Sequence, residues 1–350
     1  MRYDNEKIAE DERFTLIGRR DEANDPLQLF WVGSGVVLNA KLEALTVCIE
    51  ADWSAQAPWM AMAVDDAPVA RFPLRRGVHE YALLADMAPA AAHRIRLTRD
   101  TQPMEDDERM LVRIRAIDAE GELLPPVTRK RIEFIGDSLT SGEGLAGPVG
   151  AAEWKSVWMS GSLTYAAQAC ALLDAEGEWV SQSGWGIVTD WENDRRHTLP
   201  AIYGQVCALK AAGRKAYDFA AHPVDAVVIN LGTNDFNALG QLKPEDRAAR
   251  EQEIFTSVRA FLSQIRTARP GVPILWTCGM CGDTLNDLLK NAVHAAAQAL
   301  SDDLTAFCAL PACREEELGS LSHPGVLSHR RCAAVIAREL RGFAGRAFSD

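Results

Sequence analysis

The chain has 350 residues, 47% of them hydrophobic and 25% charged, with a net charge of −12 and a pI near 5.2. That length exceeds one average domain and makes two the expectation. The acidity argues against nucleic acid and anionic membrane as partners, because both call for a basic face, and no apolar run is long enough to span a bilayer.

The opening stretch "MRYDNEKIAEDERF" is polar and charged, without the apolar segment of a secretory signal, so a cytoplasmic location is expected. From there to about residue 125 the sequence reads as β. Short, partly alternating runs such as "ALTVCIEADW", "WMAMAVDD", "HRIRLTRD" and "MLVRIRAID" are separated by "GSG", "DDAP", "RRG" and "AEGE". Many short strands between regular turns predict a β-sandwich over residues 1–125. Trp31, Trp53 and Trp59 within it suit either a sugar platform or a buried core. Pro125-Pro126 interrupts the pattern, since neither residue continues a strand ladder or a helix, and sets a boundary ahead of a second domain over residues 131–350.

From "RIEFIGDS" the rhythm becomes strand then helix. "SLTYAAQACALLDAEG" has helical spacing with Gly177 as its stop, and "EWVSQSGWG" reads as a strand. "VDAVVINLGTND" is an apolar strand, residues 244–269 form a long helix opened by Pro244, and "VPILWTCGM" is a strand. "TLNDLLKNAVHAAAQAL" is a helix, "LTAFCAL" a strand and "SHRRCAAVIARELRGFAG" the last helix. Such alternation predicts a mostly parallel sheet with helices on both faces. Eight cysteines are scattered through the chain, mostly in apolar runs, which reads as free buried thiols. Cys278 and Cys281 make a CxxC with no second ligand pair, so neither metal nor cofactor is expected.

Ligands of open parallel sheets bind beyond the carboxyl ends of the strands. Here those ends carry Asp137-Ser138, Ser183-Gly184-Trp185-Gly186, Gly232-Thr233-Asn234-Asp235 and Gly279-Met280-Cys281-Gly282. A serine hydroxyl needs a base to become a nucleophile, histidine is the base that works near neutrality, and the intermediate needs donors aimed at its oxyanion. Ser138, His323, glycine-freed backbone N–H groups and the Asn234 amide supply those parts. Asp137 is expected to fix its own turn, Asp235 to hold its own loop, and His329 to cap the last helix or lie at the surface. The run Glu315-Glu316-Glu317 reads as a solvated face.

Taken together, "GDSL" at Ser138, "SG" at 183–184, "GTND" at 232–235 and "HP" at 323–324 resemble the four blocks of the SGNH (GDSL) hydrolases. The resemblance implies a flavodoxin-like α/β sheet. Over the whole chain, with a jelly-roll-like β-sandwich in front, the sequence resembles carbohydrate esterase family 2, whose members deacetylate plant polysaccharides or their oligosaccharides. It implies Ser138 as nucleophile, His323 as general base, and an oxyanion hole of the Ser138 N–H, the Gly184 N–H and the Asn234 amide, with Gly186 a rival donor to Gly184. No Asp precedes His323 in "EELGSLSHPG", so a Ser–His dyad with a backbone carbonyl orienting the ring is expected. Trp185, Trp191, Met280 and Asp137 are candidate substrate contacts. The implied partner is an acetylated xylo- or manno-type oligosaccharide. An SGNH esterase or thioesterase for lipid or other acyl esters, and a non-catalytic carbohydrate-binding protein, are the rival readings.

Overall fold

A computed structural model of the chain describes residues 1–88, 90–343 and 348. It divides into two compact units, one of Met1–Arg129, Lys155–Ser162 and Gln205–Ala216, the other of Lys130–Trp154, Leu163–Gly204 and the chain from Tyr217 onward. Two segments from beyond the Pro125-Pro126 break therefore belong to the first unit. Polar anchors tie them in: Ser162 N donates to Asp100 at 2.7 Å, the Trp31 indole N–H to Val206 O at 2.6 Å, and the Lys210 ammonium to Met104 O at 2.6 Å.

The first unit contains β1 (Arg2–Asp4), α1 (Asn5–Glu10), β2 (Phe14–Ile17), β3 (Gly35–Asp52), β4 (Trp59–Val64), β5 (Ala67–Pro73), β6 (Gly77–Leu84), β7 (His93–Arg99) and β8 (Leu111–Leu124). All pairings are antiparallel. The strand β3 is one 18-residue element where the sequence suggested two, and it changes partners along its length: β2 and β7 near its start, β6 near its end, β8 along most of its course. The strands are thereby joined in one hydrogen-bonded network instead of two separate sheets. Its interior is built from alternating residues such as Val36, Leu38, Val47, Ile49, Met60, Ile95, Val112 and Ile114. Trp31 is fully buried, and the Arg76 and Arg71 guanidinium groups lie 5.1 and 5.0 Å from the ring centroids of Trp53 and Trp59. Trp31 is thus a core residue, while Trp53 and Trp59 are half-buried, each with an arginine over its ring.

The second unit contains β9 (Lys130–Gly136), α2 (Ser138–Ser141), α3 (Tyr165–Leu172), β10 (Ala175–Ser181), α4 (Leu199–Ile202), β11 (Ala226–Asn230), α5 (Thr233–Gly240), α6 (Pro244–Ala268), β12 (Ile274–Cys278), α7 (Asn286–Leu300), β13 (Thr305–Ala309) and α8 (Val326–Phe343). Its five strands are parallel in the order β10-β9-β11-β12-β13, the α/β arrangement the sequence predicted. Gly177 is no helix stop. It lies inside β10, where a side chain would strike the Trp179 ring and the Cys170 sulfur.

The sheet interior holds a buried ion pair. Glu133 on β9 is fully buried, takes a hydrogen bond from Tyr203 Oη at 2.9 Å and pairs with the Arg269 guanidinium at 3.1 Å. Arg269 closes α6 and also donates to Phe219 O at 3.1 Å. Removing one partner leaves the other as an uncompensated buried charge. Arg269→Met is therefore expected to lower unfolding free energy by about 3–5 kcal/mol, measured by denaturant titration, whereas breaking an exposed pair such as Arg338–Glu339 should leave the midpoint unchanged.

Candidate active site

The strand β9 ends where Gly136 meets Asp137. A Cβ on Gly136 would lie 2.9 Å from Asn230 O and closer still to the Thr140 side chain, so only glycine lets the chain turn here. Asp137 caps the short helix α2 by accepting from Leu139 N at 3.0 Å. Ser138 is the first helical residue, and Gly142 closes the helix in the left-handed conformation at φ 84°. Ser138 is 8% exposed, sheltered yet not sealed.

His323 meets it. Nε2 lies 2.9 Å from Ser138 Oγ and Nδ1 lies 3.0 Å from Leu321 O. A carbonyl only accepts, so Nδ1 carries the proton and Nε2 is left with the lone pair that receives the serine O–H. The loop is wound to make this possible. Leu321 and Ser322 both adopt positive φ, 55° and 57°, which turns the Leu321 carbonyl back toward the ring. Main-chain bonds hold the loop: Ser320 N to Gly144 O at 2.9 Å, Leu321 N to Ala151 O at 2.8 Å, and Gly319 N to His323 O at 2.7 Å. Gly144 has φ 68°, and a side chain there would collide with Ser320 O and sit 3.1 Å from His323 Cβ.

The other loops converge at the same strand ends. Asn234 is the second residue of α5, and its Nδ2 donates to Trp185 O at 2.9 Å and points at Asp137 Oδ2 at 3.4 Å. Gly184 has φ 81° and its carbonyl accepts from Trp191 N at 3.0 Å. Gly186 forms an isolated parallel bridge with Thr198, its carbonyl accepting from Leu199 N at 3.0 Å, and a Cβ there would strike Thr189 O and the Asp235 carboxylate. Asp235 does not serve its own loop alone. Its carboxylate reaches the neighbouring one, taking Ile187 N and Val188 N at 2.8 Å each. Burial pushes its pKa up to about 6 even though those N–H groups favour the charge.

Other candidates lie elsewhere. Met280 is fully buried with its sulfur 3.7 Å from Asn230 Nδ2, so it is a core residue and not a substrate contact. Asp137 is equally sealed and cannot touch substrate. Trp185 is buried, its ring stacked on His197 at 5.3 Å, while Trp191 is 50% exposed beside Gly184. Glu317 is not solvated: it is buried and pairs with Arg331 at 2.5 Å. His329 is neither at the surface nor a cap of its own helix. Its Nδ1 accepts from Tyr165 N at 2.9 Å, capping α3 from inside the core.

Burial, with His323 nearby, pulls the His329 pKa down from 6.5 to about 3. A lowered histidine pKa means the unfolded chain binds the extra proton, so this contribution is complete above the unfolded value and is lost as pH falls. The stability advantage of the wild type over His329→Asn should be constant above pH 6.5 and shrink below it, by up to about 1.4 kcal/mol per unit, in paired melts across pH.

Sequence reasoning did not find the clamp on the loop from Gly184 to Leu199. Asp190 accepts from His197 Nδ1 at 2.8 Å and from the Glu192 and Asp194 N–H groups at 2.9 and 2.8 Å, an aspartate turn detectable only as the spacing of "DWENDRRH". Among the described residues Asp190, Asp194 and His197 also bring one potential metal ligand each within 4.8 Å. Their atoms are engaged with one another, and Asp194 additionally holds Arg196 at 3.0 Å. Gly232, Thr233, Phe236, Cys278, Cys281, Gly282, Thr284 and Leu285 line a small open cleft by the same strand ends, and neither Ser138 nor His323 is in its wall.

A serine and a histidine in hydrogen-bond contact at the carboxyl edge of a five-stranded parallel sheet define a hydrolase of the GDSL type, and the chain belongs to the GDSL-like lipase/acylhydrolase family, whose profile matches residues 134–315. Among solved structures it is similar to an acetyl xylan esterase, Est2A, from the rumen bacterium Butyrivibrio proteoclasticus, with a TM-score of 0.92 and 31% identity over 99% of both chains. It shares the fold of a family two carbohydrate esterase from Clostridium thermocellum in complex with cellohexaose, with a TM-score of 0.82 and 23% identity over 95% of this chain and 99% of that one. A curated relative, the cellulase/esterase CelE of Acetivibrio thermocellus, is 25% identical over 98% of this chain, which spans 41% of that protein.

Proposed function

We propose that the chain is a serine esterase that removes O-acetyl groups from acetylated oligosaccharides through an acetyl-enzyme intermediate. The observation that carries this reading is the 2.9 Å contact between Ser138 Oγ and His323 Nε2, with Nδ1 tethered to Leu321 O. His323 takes the hydroxyl proton as Ser138 attacks the acetyl carbonyl. The oxyanion is met by the N–H groups of Ser138 and Gly184 and by the Asn234 amide. Gly184 is preferred to Gly186 because the latter is packed tightly against Thr189 O and the Asp235 carboxylate. Protonated His323 then donates to the departing sugar oxygen, and water hydrolyses the acetyl-enzyme with the same groups in reverse. Engagement of the base also argues against a binding protein without turnover.

Two observations support the substrate. A small cleft beside the Asn234 strand end, walled by Thr233, Phe236, Cys278 and Leu285, is the place we assign to a short acyl group. Trp191, 50% exposed beside Gly184, offers an aromatic face to a sugar ring. Similarity to an acetyl xylan esterase favours xylo- over manno-type oligosaccharides. A chain-length series of aryl esters tests the acyl side. We expect kcat/KM to fall at least about tenfold from acetate to butyrate, and more to octanoate, since a few misplaced methylenes outweigh what a small site can hold. A preference for octanoate would replace this reading with the lipid esterase.

A further inference from the structure

Asp137 poses a problem that neither nucleophilic attack nor sugar recognition resolves. It is fully buried, and the nearby carboxylates Asp235 and Glu143 oppose its ionisation. Burial, with the Asp235 and Glu143 charges adding to it, pushes its pKa up to about 7. Capping α2 does not call for a carboxylate, since one oxygen, Oδ1, accepts from Leu139 N at 3.0 Å and an asparagine would do the same.

The second oxygen shows the difference. Oδ2 faces Asn234 Nδ2 at 3.4 Å, while the same nitrogen donates to Trp185 O at 2.9 Å. With Asp137 ionised, both neighbours of that nitrogen are acceptors. Rotating the Asn234 amide by half a turn would put its oxygen against two oxygens, so only one orientation is tolerated. The two bonds are unequal. The contact to Trp185 O is short and the contact to Asp137 is long, so the second N–H is held in place without being strongly committed. An incoming oxyanion can take it over.

We propose that Asp137 is a positioning residue: its Oδ2 locks the Asn234 side-chain amide with nitrogen toward the reacting carbonyl. This rests on the reading of Asn234 as an oxyanion donor. In Asp137→Asn, Oδ1 still caps Leu139, but an N–H now faces Asn234 Nδ2. Donor opposes donor, and the Asn234 oxygen is drawn round instead. The substitution removes a buried charge, so the fold should not suffer.

The test is a double-mutant cycle on acetate-ester hydrolysis with Asp137→Asn, Asn234→Ala and both together, alongside thermal melts. Expected are a fall in kcat of roughly 10- to 100-fold for Asp137→Asn with KM unchanged, bounded by the loss on removing the donor itself, an unchanged melting temperature, and a double variant no slower than Asn234→Ala alone. A factor for Asp137→Asn that persists in full on the Asn234→Ala background would overturn the proposal, as would wild-type kcat in Asp137→Asn. Wild-type kcat in Asn234→Ala would instead remove the donor reading beneath it.

Discussion

Replacing His323 with alanine is expected to lower kcat for acetate-ester hydrolysis by about 10³-fold or more, with KM little changed. Without Nε2 at 2.9 Å, Ser138 keeps its proton and attacks as a neutral alcohol. The loss falls on kcat because the imidazole works in the transition state and not in ground-state binding. The substitution leaves the main-chain bonds that hold the loop, Ser320 N to Gly144 O and Gly319 N to His323 O, so the fold should survive. Added imidazole should restore part of the rate by entering the space vacated. Steady-state kinetics with and without imidazole checks this, and a variant within about tenfold of wild type would show that another group is the base.

Asn234→Ala should cost about 10²- to 10³-fold in kcat, equivalent to about 3–4 kcal/mol of transition-state stabilisation. The amide is prepositioned at the end of β11, at the start of α5, and held by Trp185 O at 2.9 Å, so it need not reorganise as charge develops. Its removal leaves the backbone donors of Ser138 and Gly184, which explains a loss smaller than that for the base. Single-turnover acylation rates measure this directly. An unchanged acylation rate would mean that the backbone N–H groups suffice alone.

The parts proposed to react announce themselves in the sequence as polar interruptions. "GDS" and "GTND" fall where β9 and β11 end, as the strand–helix alternation predicts, and "HP" lies just ahead of the last helix. What held them was not legible. The group that orients His323 is the backbone carbonyl of Leu321, and a leucine in the left-handed conformation leaves no signature in sequence. Asp235 serves residues 187 and 188, a pairing that only tertiary folding creates. Charge and position suggest a solvated face for Glu317 and a helix cap or the surface for His329, yet long-range partners, Arg331 and Tyr165, draw both inside. In the first unit, the return of residues 155–162 and 205–216 depends on single anchors such as Trp31 to Val206 O, which no local periodicity announces.

The central claim is that Ser138, activated by His323, carries an acetyl group between a sugar and water. Release of acetate from acetylated xylo-oligosaccharides by the wild type and by Ser138→Ala tests it most directly. The wild type should release acetate steadily and the variant none above background. Equal release by Ser138→Ala would contradict it, because the hydroxyl at 2.9 Å from His323 would then not be the nucleophile.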